Sequence, residues 1–114
     1  MSRQWIDFYE DMLKACHNIV TYTTGYEKAD FCEDNLTYDA TVRNIEILGE
    51  AAKAIPVEIQ LEFSQIPWAK LTGVRNILIH EYFGINDDIL WDIIENKIPE
   101  LLLQLEAISL VYPR

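Results

Sequence analysis

Between Gln4 and about Thr23, the apolar residues Trp5, Phe8, Met12, Ala15, Ile19 and Tyr22 recur at intervals of three and four. That spacing gathers them on one face of a helix and would scatter them across both faces of a strand. Ser2 suits the N-cap of this helix and Gly25 its stop. The following dozen residues, with Asp30, Asp34 and Asn35, read as a polar connection. A second helix is expected from about Leu36 to Ile55, with Val42, Ile45, Leu48 and Ala52 keeping the period. Gly49 and the alanines near it leave room for a neighbouring helix, and Pro56 ends this one or restarts a short helix through Phe63. Pro67 opens a third main helix, expected to run to about Gly84. Asn86 or Asp87 caps a fourth, which Pro99 kinks or divides from a last segment through about Val111. No segment alternates as a half-buried strand does. The expectation is an all-α, up-and-down bundle of four to five helices forming a single domain over residues 1–114.

Length agrees with one domain, small enough for oligomerisation to add useful burial. Half of the residues are hydrophobic, which excludes a disordered chain. The runs without charge fall far short of a membrane span, and Arg3, Asp7 and Glu10 interrupt any signal-peptide core. Cys16 and Cys32 lack metal-ligand spacing, so the reading is a reduced, cytoplasmic protein with no membrane association. Nine basic against nineteen acidic residues give a formal charge of −10, which opposes long-range attraction to a polyanion. A nucleic-acid substrate therefore requires the few cations to be concentrated around one cleft.

The segment from Val74 to Tyr82 places a cation, an amide, an imidazole and a phenol close together: Arg75, Asn76, His80 and Tyr82. Arg can grip a phosphate with a fork of donors, and His exchanges a proton near neutral pH. On an ideal wheel of about 100° per residue, Asn76 and His80 stack one turn apart and Tyr82 lies over Arg75. His80 then points roughly 140° away from Arg75, which suggests that a second copy of the helix completes a compact site. Glu81 would project near Val74 and Leu78, requiring either a distorted helix or a polar partner.

Arg75, His80 and Tyr82, spaced Arg-x4-His-x-Tyr, resemble the signature of the HEPN superfamily, specifically of HepT-like ribonuclease toxins. The stretch Thr41 to Lys53, the run Ile66, Pro67, Trp68, and Glu81 to Gly84 fit the same family, so the resemblance spans nearly the whole chain. It implies a homodimeric, metal-independent endoribonuclease toxin of a type VII-like toxin–antitoxin pair, with RNA as substrate and no cofactor. In that scheme His80 is the general acid–base, Arg75 stabilises the charge building on the phosphate, and Asn76 orients the imidazole. The resemblance also implies an MntA-like nucleotidyltransferase antitoxin that transfers AMP to Tyr82. The chain has no Gly-Ser pair followed by spaced aspartates of its own, so it would be that enzyme's substrate.

Each residue also has a plainer reading. A lone His is more often packed or capped, Arg75 has many carboxylates to pair with, and Tyr82 can simply pack at a wet edge. Arg43, Glu46, Glu50 and Lys53 form a helical stripe that reads first as a solvated face. The alternative places Arg43 and Glu46 at the border of the cleft. Trp5, Trp68 and Trp91 read as core or interface anchors. Two rival functions stand beside the enzyme: a non-catalytic dimer serving as binding or scaffold subunit for a nucleotidyltransferase, and a purely structural helical dimer.

Overall fold

The computed structural model describes residues 3–80 and 84–113, and of Ile79 and His80 the backbone alone. The chain is all-α apart from one two-residue ladder. Its elements are α1 (Trp5–Thr23), α2 (Lys28–Glu33), α3 (Asn35–Lys53), α4 (Val57–Glu62), α5 (Trp68–Thr72), α6 (Val74–Leu78), β1 (Ile79–His80), β2 (Gly84–Ile85), α7 (Asp87–Asp92) and α8 (Ile98–Val111), with a π-helical turn (Ile93–Lys97) joining the last two.

α1 buries Met12, Ala15 and Ile19 of the expected face together with Cys16, leaves Trp5 and Phe8 half-buried and Tyr22 exposed, and rests mainly on α3 and also on α8. It starts at Gln4, whose backbone N–H donates to the Asp7 carboxylate at 2.8 Å, and Gly25 (φ +85°) follows its end. The Tyr9 hydroxyl, in the core, donates to the Leu105 carbonyl at 2.6 Å and so ties α1 to α8. Between α1 and α3, the Asn18 amide donates to Asn44 Oδ1 at 3.0 Å, while Asn44 Nδ2 donates to the Ala40 carbonyl at 2.9 Å. These bonds satisfy polar groups at a contact that otherwise excludes water.

The expected polar connection before α3 holds a helix. α2 forms because Phe31 is fully buried, with its ring centroid 5.4 Å from Tyr38 and 5.5 Å from Trp91. A single buried side chain gives no periodicity to read, so tertiary contact decides this segment. Asp34 caps α3, accepting from the Thr37 N–H at 3.2 Å and from the Tyr26 hydroxyl at 2.5 Å. Those bonds, the Tyr26 hydroxyl first, hold the Asp34 carboxyl below its ordinary range.

α3 passes close beneath α5 and α6 at Gly49. A Cβ there would sit 2.9 Å from the Leu71 carbonyl oxygen and 3.0 Å from Val74 Cγ1. The third helix expected from Pro67 to Gly84 is not continuous. It breaks at Gly73, whose N–H closes α5 on Ala69, and α6 then ends at Leu78, where the backbone becomes extended. Ile79 pairs with Ile85 and His80 with Gly84, antiparallel, and the Asn86 N–H satisfies the Leu78 carbonyl at 2.9 Å. Gly84 has φ +74°, a conformation open to glycine and strained for other residues. The absence of strand expected from sequence is thus corrected by this short ladder.

Asn86 caps α7, accepting from the Ile89 N–H at 3.1 Å. Pro99 does not divide the last helix sharply. The preceding π turn, in which the Ile98 N–H reaches back to the Ile93 carbonyl, leads into a helix that carries Pro99 in its first turn, where its missing N–H costs least. Leu101, Leu105 and Ile108 of α8 close the core. Trp68 is buried with its indole N–H donating to the Phe63 carbonyl at 3.1 Å, and Trp5 meets Tyr112 edge-on at 5.2 Å. Among the described residues, no helix is long and apolar enough to cross a membrane.

Gly49→Ala is expected to lower the urea midpoint, since overpacking at about 1–3 kcal/mol exceeds the ~1 kcal/mol gain in helix propensity. An unchanged or higher midpoint would show that α5 and α6 can yield. Because the folded Asp34 pKa lies below its unfolded value near about 3.9, its contribution is complete above that pH and is lost as pH falls through the folded value. Asp34→Asn should therefore be less stable than wild type at pH 7, with the gap closing in denaturation curves taken below about pH 4.

Candidate active site around Arg75

α6 is set by its two buried residues. Val74 and Leu78 face the core, which turns Arg75, Asn76 and Ile77 outward. Ile77 is 43% exposed, an apolar side chain left in water next to the cation. Arg75 forms no ion pair with any described carboxylate, and the same holds for Arg43, Lys70 and Lys97.

Arg75 lines a cavity of about 170 Å3 together with Glu46 of α3. Val42, Ile45, Leu78 and Ile85 supply its apolar wall, so α3, α6 and β2 all contribute. Of the stripe on α3, Glu46 thus borders the cavity. Arg43, exposed on the same helix, is not among the residues lining it. Glu50 and Lys53 pair with each other at 3.1 Å in solvent, as a solvated face does.

The end of α6 at Leu78 overturns the wheel geometry. Asn76 is helical and His80 lies in β1, so the two are not stacked one turn apart. The angle of roughly 140° between Arg75 and His80 presumed a continuous helix and lapses for the same reason. Gly73 before α6 and the left-handed Gly84 after β1 are the breakers, and a bundle-wide period conceals both. Tyr82 and Glu81 lie outside the described residues.

The return strand is anchored by residues that sequence reading passed over. The Tyr38 hydroxyl donates to Asp87 Oδ1 at 2.5 Å, and Lys28 pairs with Asp88. Both carboxylates stand in the first turn of α7, directly after β2, where they also complement the helix dipole. Burial, then the Asp87 carboxylate, pushes the Tyr38 hydroxyl pKa well above its ordinary value, which keeps it a donor. The signal available was a pair of acidic residues next to a predicted cap, opposite a tyrosine and a lysine whose distance in sequence hid the contact.

A larger groove, about 440 Å3, adjoins the cavity and shares Ile45 and Val74 with it. Leu71, Ile93 and Leu101 form much of its floor. Among the described residues, no three His, Cys, Asp or Glu side chains converge as a metal site.

Residues 12–108 match the profile of the ribonuclease HepT-like family. A candidate RNase of Caldanaerobacter subterraneus subsp. tengcongensis is 40% identical over 101 residues, covering 89% of this chain and 90% of that one. The chain belongs to the HepT-like ribonuclease family. A candidate ribonuclease HepT of Thermococcus cleftensis is 37% identical over 101 residues, 89% of this chain and 92% of its own. A candidate RNase of Methanocaldococcus jannaschii shares 37% over 101 residues, 89% and 84% of the two chains. No solved structure matches the chain. Membership in the HepT-like family supports an endoribonuclease, and the matched span contains α3, the Arg75 cavity and the groove.

Since Arg75 is exposed and holds no described carboxylate, Arg75→Ala is expected to change folding stability by no more than about 0.5 kcal/mol. Leu78→Ala, from the buried side of the same helix, should cost about 2–5 kcal/mol. Urea denaturation of both variants checks the contrast, and a large loss in Arg75→Ala would make the cation a structural residue.

Proposed function

We propose that this HepT-like protein is a cytoplasmic, metal-independent endoribonuclease toxin acting as a homodimer on RNA. The observation that carries the reading is Arg75, uncommitted to any described carboxylate in a chain of charge −10, lining a cavity with Glu46 and standing four residues before the start of β1. A guanidinium left open amid so many acids is available for a phosphate.

In the proposed reaction His80 takes the proton from a ribose 2′-hydroxyl, and the 2′-oxygen attacks the adjacent phosphorus. The bond to the 5′-oxygen breaks, a second imidazole returns a proton to that oxygen, and the products are a 2′,3′-cyclic phosphate and a 5′-hydroxyl end. Arg75 stabilises the pentacoordinate transition state, where a preorganised donor contributes most. Asn76, exposed beside Arg75, adds an amide donor at the phosphate. Glu46 and Arg43 flank the strand from α3. The second imidazole comes from a second copy of the chain. An MntA-like nucleotidyltransferase antitoxin neutralises the pair by transferring AMP to Tyr82, which adds a bulky phosphate-bearing group to the Arg75, His80, Tyr82 motif.

The net charge of −10 favours one rival, a non-catalytic dimer that serves as scaffold for the transferase. Purified protein incubated with RNA in excess chelator separates the two. Wild type is expected to cleave, His80→Ala to lose about 10²–10⁴-fold, and Arg75→Lys to be impaired because a point charge lacks the planar fork. Cleavage unchanged in His80→Ala, or absent in wild type, would contradict the assignment. Co-expression with the transferase should add the mass of one AMP to wild type and none to Tyr82→Phe.

A further inference from the structure

We infer that the 440 Å3 groove is a nucleobase subsite, holding one base of the RNA strand beside the phosphate gripped by Arg75, with Lys70 and Lys97 on the adjoining phosphates. The inference rests on the ribonuclease reading and adds a sequence preference to it. A base presents two apolar faces and a polar edge, so its site needs apolar walls and a few donors and acceptors, which is how extruded bases are held. The groove has both. Leu71, Ile93 and Leu101 supply aliphatic walls, and the amides of Gln65 and Gln104 stand at its margin. Gln104 Nε2 donates to the Gln65 carbonyl at 3.2 Å, which orients the amide and leaves its oxygen to accept from a base.

Charge distinguishes an RNA strand from an ordinary apolar occupant. The chain as a whole carries −10, yet the groove's charged lining is balanced, Lys70 and Lys97 against Asp92 and Glu100. Asp92 accepts from Asn96 Nδ2 at 2.8 Å, whereas neither lysine pairs with any described carboxylate. Arg75 lines the adjoining cavity, which is joined to the groove through the shared residues Ile45 and Val74, so uncommitted cations line both the groove and its neighbour. A strand with a phosphate on each side of an inserted base complements that order. Asp92 and Glu100 repel phosphate at their own positions and accept from the N–H groups of a base edge.

The test uses 2′-O-methyl RNA octamers, which bind without being cut, carrying a single abasic residue moved along the strand, with affinity read by fluorescence anisotropy on the intact protein. At one position the abasic residue is expected to weaken binding by about tenfold, the scale of burying one apolar group against aliphatic walls. Ile93→Trp, which fills the groove, should weaken the intact octamer comparably and no longer sense the abasic residue. The double variant Lys70→Ala, Lys97→Ala alters exposed side chains only and should bind more weakly with a shallower salt dependence, its circular dichroism unchanged. An abasic scan flat within about twofold, an Ile93→Trp variant that still senses the missing base, or wild type that does not bind the octamer would overturn the subsite. So would sedimentation showing that Ile93→Trp splits a dimer, which would make the groove the seat of a second copy. Cleavage unchanged in His80→Ala overturns the catalytic assignment while leaving a positive abasic scan standing, so the two failures are distinguishable.

Discussion

Close contact between the backbones of α3 and α5 at Gly49 sets the position of everything around Arg75. With only hydrogen at Gly49, the Leu71 carbonyl and Val74 can lie against α3. Val74 and Leu78 are then drawn into the core, and in a helix as short as α6 that leaves Arg75, Asn76 and Ile77 no inward direction. The exposure of the cation is thus a product of core packing. The same seating brings Arg75 to the edge of α3 that carries Glu46, and it lets the chain leave the helix at Leu78 to form the β1–β2 ladder.

Electrostatics fits this arrangement better than the overall charge suggests. Arg3, Lys28 and Lys53 are taken up in ion pairs at the periphery, with Lys28 holding the start of α7. Lys14, Arg43, Lys70, Arg75 and Lys97 hold none with described carboxylates, and three of these line the cavity or the groove. Net repulsion of a polyanion acts over the Debye length, about 8–10 Å in ordinary salt, so a local group of open cations can prevail at contact. An acidic body with a locally open cationic edge also slows non-specific association with nucleic acid.

Much of the architecture was legible in the sequence because α1, α3 and α8 are long enough to repeat their apolar positions several times. The capping role of Asn86, the short helix after Pro56 and the small-residue contact at Gly49 also follow from local chemistry. The misreadings share one physical cause, which is that short elements are decided by tertiary contact. α2 exists to bury Phe31 between Tyr38 and Trp91, and α6 is bounded by the break at Gly73 before it and by the extended backbone after Leu78. At the site, Arg75 and Glu46 line one cavity, Glu46 from a stripe that reads first as a solvated face, while helical geometry was wrongly extended through His80. The groove was invisible because its lining comes from residues far apart in the chain, and the anchors Tyr38 and Asp87 for the same reason.

The central claim is that one RNA strand is cut by guanidinium and imidazole groups pooled from two copies of the chain. Co-expressing Arg75→Ala and Glu46-intact His80→Ala subunits under different tags, and isolating the mixed dimer by sequential affinity steps, tests it most directly. The account predicts that the mixed dimer, which retains one Arg75 and one His80 on different subunits, cleaves RNA faster than either parent homodimer and more slowly than wild type, because it lacks the second imidazole. A mixed dimer no more active than its parents, or the failure of any mixed species to form, would contradict it.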